Sequence, residues 1–426
     1  MRIRIKHPPV LHTTNAGDPL ARSATEVRDL HSGVPVWAHY PRTIVPTATL
    51  TAPMRADVII VGAGITGALV AEAATAAGLT TIVLDRRQPA HGSTAASTAL
   101  LQYEIDTPLI HLADDIGIER AARAWLRSFK AVSDLGRLVE RLDIACAFRP
   151  RRALYLAGNT LDRDALAMEC RQRQAIGLPS EYLRQDALRA YAGIDRAAAL
   201  LSEGAADVDP VSLTIGLLHT VLARGGRLFA PAQLAEVVPL QRRVEMVTAD
   251  GIELEAKALV FATGYELADG VPTAGHQRTS TWAYATPPQP ERLCGAEDVI
   301  WEASEPYLYI RTTADGRVIV GGEDEEFDDE AARDALLPAK IAALQAKVHA
   351  LLPWLDTSAD FAWAGTFGES ENGLPSIGAV PAMPNCYAVL GYGGNGITFS
   401  VVAAQIIQAL LRGQSDPNTE LFAFGR

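Results

Sequence analysis

The stretch Val58-Ile-Ile-Val-Gly62-Ala-Gly64-Ile-Thr-Gly67 decides the fold of this 426-residue chain. Its first four residues form a continuous apolar run, which is typical of a strand buried on both faces of a parallel sheet. Gly62 permits the tight turn that follows, Gly64 lets the backbone approach a pyrophosphate, and Gly67 lets the next helix pack closely on the strand. The stretch therefore predicts the start of a dinucleotide-binding domain.

The following segments complete a βαβ unit. Residues 68–77 are nearly all small, as in a helix that lies close to a sheet, and the apolar strand Thr81–Leu84 ends at Asp85. An acid at this position accepts hydrogen bonds from the ribose of an adenosine. Arg86 is expected near the adenosine or exposed. Together with Arg87 it leaves open a 2′-phosphate and thus NADP, which the acid disfavours, and a glycine-rich turn without a ligand is the remaining alternative.

Two later glycine segments indicate that the dinucleotide is FAD. Val260-Phe-Ala-Thr-Gly264 follows about two hundred residues later, and Gly391-Tyr-Gly-Gly-Asn-Gly-Ile-Thr398 lies near the C-terminus. The last segment lets the backbone pass close to an aromatic ring system and opens an apolar helix. The positive end of that helix would stabilise the anion that develops on a reduced flavin. A packing turn before a core helix is the alternative.

Composition bounds the functions that remain. The chain is 48% hydrophobic, enough for two packed domains, and its net charge of −12 argues against nucleic-acid binding. Residues 1–55 carry +4 and the remainder −16. The acidic run Glu323–Glu330 is expected to be a solvated loop rather than a cation site.

Targeting and metal signals are weak. The four cysteines include no C-x-x-C pair, and the nine histidines are scattered, so we expect neither disulfides nor a metal site. No signal core and no uninterrupted apolar stretch of spanning length is evident, so no membrane span is expected. These features predict a cytoplasmic protein whose oligomeric state is open.

Element patterns predict an α/β protein in which a Rossmann-type FAD-binding domain carries an inserted, mainly antiparallel-sheet substrate domain. An N-terminal extension, anchored by the apolar residues Val34–Trp37 or loosely ordered, precedes both domains. The predicted ranges are 1–55 for the extension, 56–149, 206–265 and 365–426 for the FAD-binding domain with its C-terminal helix, and 150–205 and 266–364 for the substrate domain.

Together, the three glycine segments, Gly92-Ser-Thr94 and the strand Tyr307–Arg311 resemble the D-amino-acid oxidase superfamily over roughly residues 56–415. This superfamily of FAD-dependent oxidoreductases includes glycine oxidase, the sarcosine oxidases and gamma-glutamylputrescine oxidase. The resemblance implies oxidation of the C–N bond of a small amine or amino-acid-like substrate by hydride transfer to flavin N5, with oxygen or another acceptor taking the electrons. The implied cofactor residues are Gly62, Gly64, Ile65, Thr66, Gly67, Asp85, Arg86, Gly92, Ser93, Thr94, Ser97, Val237, Thr263, Gly264, Gly393, Gly394, Asn395, Gly396, Ile397 and Thr398.

The substrate side departs from this family. Amino-acid and glycine oxidases carry an arginine that grips the substrate carboxylate at the position where this chain has Phe367, and phenylalanine cannot replace a guanidinium there. This disfavours a simple α-amino acid. Arg311 is a candidate for holding a carboxylate instead, with a structural ion pair as its alternative, and Tyr307 matches a tyrosine that contacts substrate in glycine oxidase-like relatives.

Further candidates follow from where the relatives place their flavin. In relatives the chain after Gly-Ser-Thr passes the flavin ring, so Gln102 or Glu104 is expected to face the substrate ammonium, or to make ordinary loop hydrogen bonds. Glu369 is a further cation partner. No cysteine lies in 363–374 and no histidine follows Thr94, where relatives attach flavin covalently, so FAD is expected to be non-covalent. An NAD(P)-dependent dehydrogenase and a non-catalytic flavoprotein subunit, which binds partners through its basic N-terminal arm, are the rival functions.

Overall fold

The computed structural model of the chain describes residues 23–293 and 297–426. The first 22 residues of the predicted extension, and Cys294, lie outside the described residues.

The strands share a simple rule: those at the sheet centres are buried runs of Val, Ile, Leu and Ala, as expected where both faces are covered. They are β1 (His31–Gly33), β2 (Met54–Val61), β3 (Thr81–Leu84), β4 (Leu100–Leu101), β5 (Arg149–Leu156), β6 (Ser180–Arg184), β7 (Ala198–Asp207), β8 (Arg227–Phe229), β9 (Leu234–Pro239), β10 (Val244–Thr248), β11 (Glu253–Phe261), β12 (His276–Ala285), β13 (Val299–Glu302), β14 (Leu308–Thr312), β15 (Val318–Glu325), β16 (Phe361–Ser370), β17 (Ser376–Ala379) and β18 (Cys386–Leu390).

Three helices are capped by an aspartate whose carboxylate accepts backbone hydrogen bonds, and three others begin after a glycine. Asp209 accepts hydrogen bonds from Val211 and Ser212, with Pro210 at the first helical position, as the sequence predicts for a helix start. The helices are α1 (Ile65–Ala76), α2 (Ser93–Ala96), α3 (Leu109–Ile116), α4 (Ile118–Leu142), α5 (Arg163–Ala175), α6 (Gln185–Ala192), α7 (Pro210–Ala223), α8 (Glu330–Leu351), α9 (Gly396–Leu411) and α10 (Thr419–Phe422).

The first sheet, called the cofactor sheet, has the strand order β17-β18-β11-β2-β3-β8. Its centre is parallel, with Val58 opposite Thr81 and Phe261 opposite Val61. The strands β9 and β10 form an antiparallel extension that joins at β11. Helices α1, α7 and α9 pack on one face of this sheet, which confirms the predicted Rossmann-type domain.

The second sheet, called the large sheet, has the order β1-β16-β12-β15-β14-β13-β5-β7-β4, with β6 paired to β7. Its pairing is antiparallel except between β13 and β5. The pair β12–β16 runs in register over its whole length, from His276 opposite Ser370 to Ala285 opposite Phe361. One face buries Trp282, Tyr284 and Ile310 against α8, which leaves the opposite face for the site.

The domain ranges stay predictions, but sheet membership bears on two of them. Strand β16 continues in the large sheet to Ser370, six residues past the proposed change at 364. The described part of the extension, 23–55, packs on the body: β1 pairs with β16, Val36 and Trp37 are buried, and the Trp37 indole donates to Ser97 O at 2.6 Å. This favours the anchored form of the extension.

One helical segment among the described residues, Gly393–Leu411, is long and apolar enough to span a membrane, and 61% of its apolar window is buried inside the fold. Most of its side chains pack in the core around α1 and α4. Its apolar character is therefore accounted for by packing within the protein.

Candidate active site

Two cavities lie at the edge where the sheets meet. The first, the cofactor cavity, follows the ends of β2 and β3, and the second, the reaction cavity, has a volume of about 890 Å³ and lies over the large sheet. Both are lined by the same five residues where they meet, namely Ser93, Ser97, Tyr265, Gly396 and Ile397. The cavities therefore form one continuous path, suited to an extended group that reaches from Asp85 to the third glycine segment.

The cofactor cavity is shaped by the first two glycine segments acting together. Gly62 has φ +110°, and a Cβ there would lie 2.3 Å from Ala262 O. A Cβ on Gly67 would lie 1.8 Å from Gly62 O. Gly67 therefore permits the close packing of α1 on the glycine turn that the sequence predicts. Because Gly62 lies against Ala262, the second glycine segment packs directly on the first.

Asp85 lies at the end of β3 and lines the cofactor cavity. Its carboxylate accepts hydrogen bonds from the Ala63 amide at 2.6 Å and the Arg87 amide at 2.7 Å, and its burial raises its pKa. The same carboxylate thus fixes the glycine turn. Nearby, the Ile65 amide donates to Thr94 Oγ1 at 3.0 Å, which joins the first motif to Gly92-Ser-Thr94.

The outer wall of the cofactor cavity includes the N-terminal segment. Thr25 and Leu30 line it, and the Arg86 guanidinium donates to Thr25 Oγ1 and lies 3.8 Å from Glu266. The predicted Val237 is displaced: it lies in the antiparallel extension, and Gln233 and Leu234 line the cavity instead. The sequence pattern located the strand but missed its register against the cavity.

The third glycine segment is tied to the loop that precedes α3. Asn395 Nδ2 donates to Glu104 O at 2.7 Å, and Thr398 Oγ1 donates to Gln102 O at 2.8 Å. Gly393, Gly394, Gly396 and Ile397 line the reaction cavity, whereas Asn395 and Thr398 hold this loop.

The residues present fit FAD. The Ser93 hydroxyl is buried without a hydrogen-bond partner among the described residues, at the junction that both cavities share. The N-terminus of α1 opens onto the cofactor cavity through Gly64, Ile65 and Thr66, where backbone amides favour phosphate. A dinucleotide would supply the missing acceptors and fill the continuous path.

The reaction cavity takes its floor from six neighbouring strands of the large sheet. In sheet order these strands are β16, β12, β15, β14, β13 and β5. Each contributes side chains to the wall, among them Phe367, Glu369, Thr279, Thr281, Asp324, Tyr309, Trp301 and Tyr155. Phe367 thus lies in the cavity wall, as the sequence comparison with amino-acid oxidases implies.

Three carboxylates in this cavity influence one another. Asp106 accepts a hydrogen bond from the Gly394 amide at 2.8 Å, and desolvation raises its pKa to about 7. Desolvation also raises the pKa of Asp324 to about 6, and the charge of Glu369 adds to both shifts. Glu369 itself accepts from Thr279 Oγ1 at 2.5 Å. Such a group is stabilised by a cation.

The four predicted substrate residues divide evenly. Tyr307 and Gln102 line the reaction cavity, and the Gln102 amide nitrogen is buried without a partner among the described residues. Burial and the neighbouring Asp324 raise the pKa of Tyr307, so its hydroxyl stays protonated at neutral pH. These two residues remain candidates for contact with substrate.

Arg311 was a candidate for holding a carboxylate, with a structural ion pair as its alternative, and its surroundings favour the alternative. Its side chain is 3% exposed, its Nη1 donates to the backbone oxygens of Thr98, Ala99 and Val208 at 2.9–3.1 Å, and its Nη2 lies 4.0 Å from Asp207. The β14 strand does place Arg311 and Tyr309 on one face, but the chain from Thr98 to Ala99 covers the arginine. Its role is structural.

Gln102 or Glu104 was a candidate for facing the substrate, and the surroundings of Glu104 do not favour that role. Glu104 is 1% exposed and lies 3.6 Å from Arg173, in a fully buried cluster that Glu169 completes. The Arg173 guanidinium in turn stacks 4.7 Å from the Trp125 ring. The adjacent Asp106, two residues on, faces the cavity instead.

Sequence reasoning missed Asp106 and Asp324. The run Glu323–Glu330 was read as a solvated loop, yet β15 continues to Glu325 and places Asp324 in the cavity. The sequence carries no clear signal for this position, because Glu323 has a φ of 59° that interrupts the strand alternation, and Glu325 lines the cavity as well as Asp324.

The comparisons agree with this geometry. A family model described as FAD dependent oxidoreductase (DAO) matches residues 57–410. The chain belongs to this family. It is 26% identical over 390 residues to gamma-glutamylputrescine oxidoreductase of Escherichia coli, covering 87% of each chain. It is 28% identical over 229 residues to glycine oxidase of Pseudomonas putida, covering 50% of this chain and 58% of that one.

Solved structures share the fold. Glycine oxidase from Geobacillus kaustophilus superposes with a TM-score of 0.72 at 19% identity, over 87% of this chain and 99% of the other. L-proline dehydrogenase from P. horikoshii gives 0.72 at 15% identity, over 87% and 97%. The protein is therefore an FAD-dependent oxidoreductase, and the NAD(P)-dependent alternative is wrong.

Proposed function

We propose that this oxidoreductase oxidises the C–N bond of a small cationic amine and does not depend on a substrate α-carboxylate. The observation that carries this is the lining of the reaction cavity: its described residues include no arginine, eight carboxylates and one lysine. A guanidinium is the group best suited to grip a carboxylate, and carboxylates are suited to an ammonium. The similarity to gamma-glutamylputrescine oxidoreductase of Escherichia coli, which is named for a putrescine derivative, supports the same class.

Bound FAD would supply the oxidising power by accepting a hydride from the carbon next to nitrogen, after which water converts the imine to a carbonyl compound and an amine or ammonia. The chain's own residues bind and orient the amine. Glu369 and Asp106 would hold the ammonium, and either carboxylate could take its proton before oxidation. Phe367 and Tyr307 would exclude water from one side of the reacting carbon.

FAD is proposed to be held non-covalently, since no cysteine or histidine occurs among the described residues that line the two cavities. The electron acceptor, oxygen or another compound, and the cytoplasmic setting stay predictions.

The test is anaerobic reduction of the purified holoenzyme by primary amines, N-methyl amino acids and D-amino acids, followed at the flavin absorbance bands. We expect bleaching by amines without an α-carboxylate and much weaker bleaching by the amino acids. A hydrogen-peroxide assay in air with the active compounds then reports whether oxygen is the acceptor. Bleaching by amino acids alone, or by no compound in the panel, would contradict the proposal.

A further inference from the structure

The reaction cavity is longer than a single amine requires. Six neighbouring strands, from β16 to β5, form its floor, and neighbouring strands lie about 4.8 Å apart, so the floor extends about 24 Å. Phe367 lies on the first of these strands, on the side of the third glycine segment, and Tyr155 lies on the last. A substrate that fills this space is extended along the strand order.

Its negative charge is balanced only in part by the described residues, since Glu302 pairs with Arg196 at 2.6 Å and Glu325 pairs with the one lysine of the lining. The single lysine in the lining, Lys340, is already paired, with its Nζ 2.6 Å from Glu325 and 3.6 Å from Glu323. The carboxylate oxygens of Asp324 are buried and form no hydrogen bond of normal geometry with a described residue. The Thr281 and Tyr307 side chains lie near enough to favour its charge, but neither is a cation. Among the described residues Asp324 has no ion-pair partner within 4 Å. A buried carboxylate without a cation beside it is costly, and a ligand cation would lower that cost.

The missing cation is better matched by an organic ammonium than by a metal. Among the described residues, no group of three or more carboxylate, histidine or cysteine side chains is arranged to hold a metal ion. The far end of the cavity is instead aromatic. Tyr155 and Trp301 stack there with ring centroids 3.7 Å apart and planes 15° from parallel. The faces of such rings are suited to contact with methylene groups and with an alkylammonium cation.

We propose that the substrate carries a second cationic nitrogen, and that Asp324 binds it. The substrate class is then a linear diamine or polyamine, with its reacting C–N bond beside Phe367 and its chain directed along the floor toward Trp301. This assignment rests on the proposed amine oxidation. It adds two statements to the proposed function: the substrate carries two positive charges, and its chain runs from Phe367 toward Trp301. A single ammonium site near the flavin would require neither.

The test compares 1,4-diaminobutane with 1-aminobutane on the holoenzyme, measuring the concentration that half-saturates the rate of anaerobic flavin reduction. The two amines share length and reacting group and differ by one ammonium. A charge-assisted contact with the second ammonium predicts that the diamine half-saturates the rate at a concentration at least about ten-fold lower than 1-aminobutane does. Equal concentrations for the two amines would overturn the second cationic site and leave amine oxidation standing. Reduction by neither amine would instead overturn the proposed function, and this inference with it.

Variants locate the second site. Asp324→Asn keeps the shape of the side chain and removes its charge, so we expect it to raise the half-saturating concentration of the diamine about ten-fold and to change that of 1-aminobutane much less. Asp186→Asn, at an exposed position on α6 away from the cavity, removes the same charge and is expected to change neither. Equal effects of Asp324→Asn on both amines would overturn the assignment to Asp324. The content of bound FAD and the melting temperature show whether each variant is folded. The comparison of the two amines on the wild-type enzyme does not depend on any variant.

Discussion

The wall of the cofactor cavity comes mainly from short segments around the glycine motifs, whereas the floor of the reaction cavity takes between one and five residues from each of six strands spread between Tyr155 and Ser370. Gly62–Gly67 and Gly92–Thr94 each contribute several neighbouring residues to the first wall. In the second, Glu369 and Asp324 are separated by forty-four positions that run through α8. The cofactor wall therefore contains motifs that are visible in the sequence, whereas the composition of the substrate wall depends on how distant strands pair.

The largest effect is expected at the point where the first two glycine segments touch. Gly67→Ala would place a Cβ 1.8 Å from Gly62 O, a backbone atom, so α1 would have to leave the sheet. We expect loss of bound flavin and a loss of stability of about 3 kcal/mol or more. The measurements are flavin absorbance after purification and chemical unfolding.

Gly78→Ala is the matched control for that substitution. Gly78 has φ +79° with nothing within 4 Å of its Cβ position, so the change adds only backbone strain of about 1 kcal/mol. We expect this variant to keep its FAD. If Gly67→Ala retained flavin as well as Gly78→Ala does, the close approach of α1 to the glycine turn would not be needed for the cofactor.

A smaller but still large effect is expected from Arg311, which the sequence assigned to the substrate wall. Arg311→Ala leaves three buried backbone oxygens without their donor, so it should cost about 3 kcal/mol in unfolding free energy. Refolded holoenzyme should keep its ratio of activity on diamine to monoamine. Tyr307→Phe is the counterpart in the cavity wall, expected to alter kcat/KM with little loss of stability. A changed substrate ratio in Arg311→Ala would return this arginine to the substrate wall.

These two regions explain what the sequence could and could not predict. The βαβ unit, Asp85 and the glycine segments were predictable because periodicity and glycine spacing are local properties. Arg311 was a candidate because alternation gives the face of a strand but not what covers that face, and here residues 98–99 cover it. The candidate role of Glu104 at the substrate is not favoured, because its burial depends on Arg173, which lies sixty-nine positions away in the chain. Asp324 was missed because an acidic run resembles a solvated loop until its strand pairing is known.

The role of Phe367 can be tested by restoring the side chain that amino-acid oxidases carry. Phe367→Arg introduces a guanidinium into an acidic wall, where it would repel an ammonium and bind a carboxylate. We expect the preference for 1,4-diaminobutane over glycine to shift by about 100-fold toward glycine, measured as the ratio of kcat/KM values. Phe367→Leu, which keeps the wall apolar, should leave the preference in place. An unchanged preference in the arginine variant would show that position 367 does not select the substrate charge.

The smallest expected effect is a pH dependence confined to the reaction cavity. Burial raises the pKa of Asp324 to about 6, and the like charge of Glu369 adds to this increase. Thr281, Tyr307 and Lys340 act in the opposite direction and limit it. Because a carboxyl group with a raised pKa is neutral below that value, the second ammonium loses its partner as the pH falls from 8 to 5. The ratio of half-saturating concentrations, monoamine to diamine, should therefore rise by up to about ten-fold from pH 5 to pH 8. Both amines stay protonated in solution across this range, so the ratio cancels their common reactivity, and Asp324→Asn should flatten it. A ratio that fell with rising pH, or that rose equally in Asp324→Asn, would place the titrating group elsewhere, with Asp106, whose pKa is about 7, as the next carboxylate to replace.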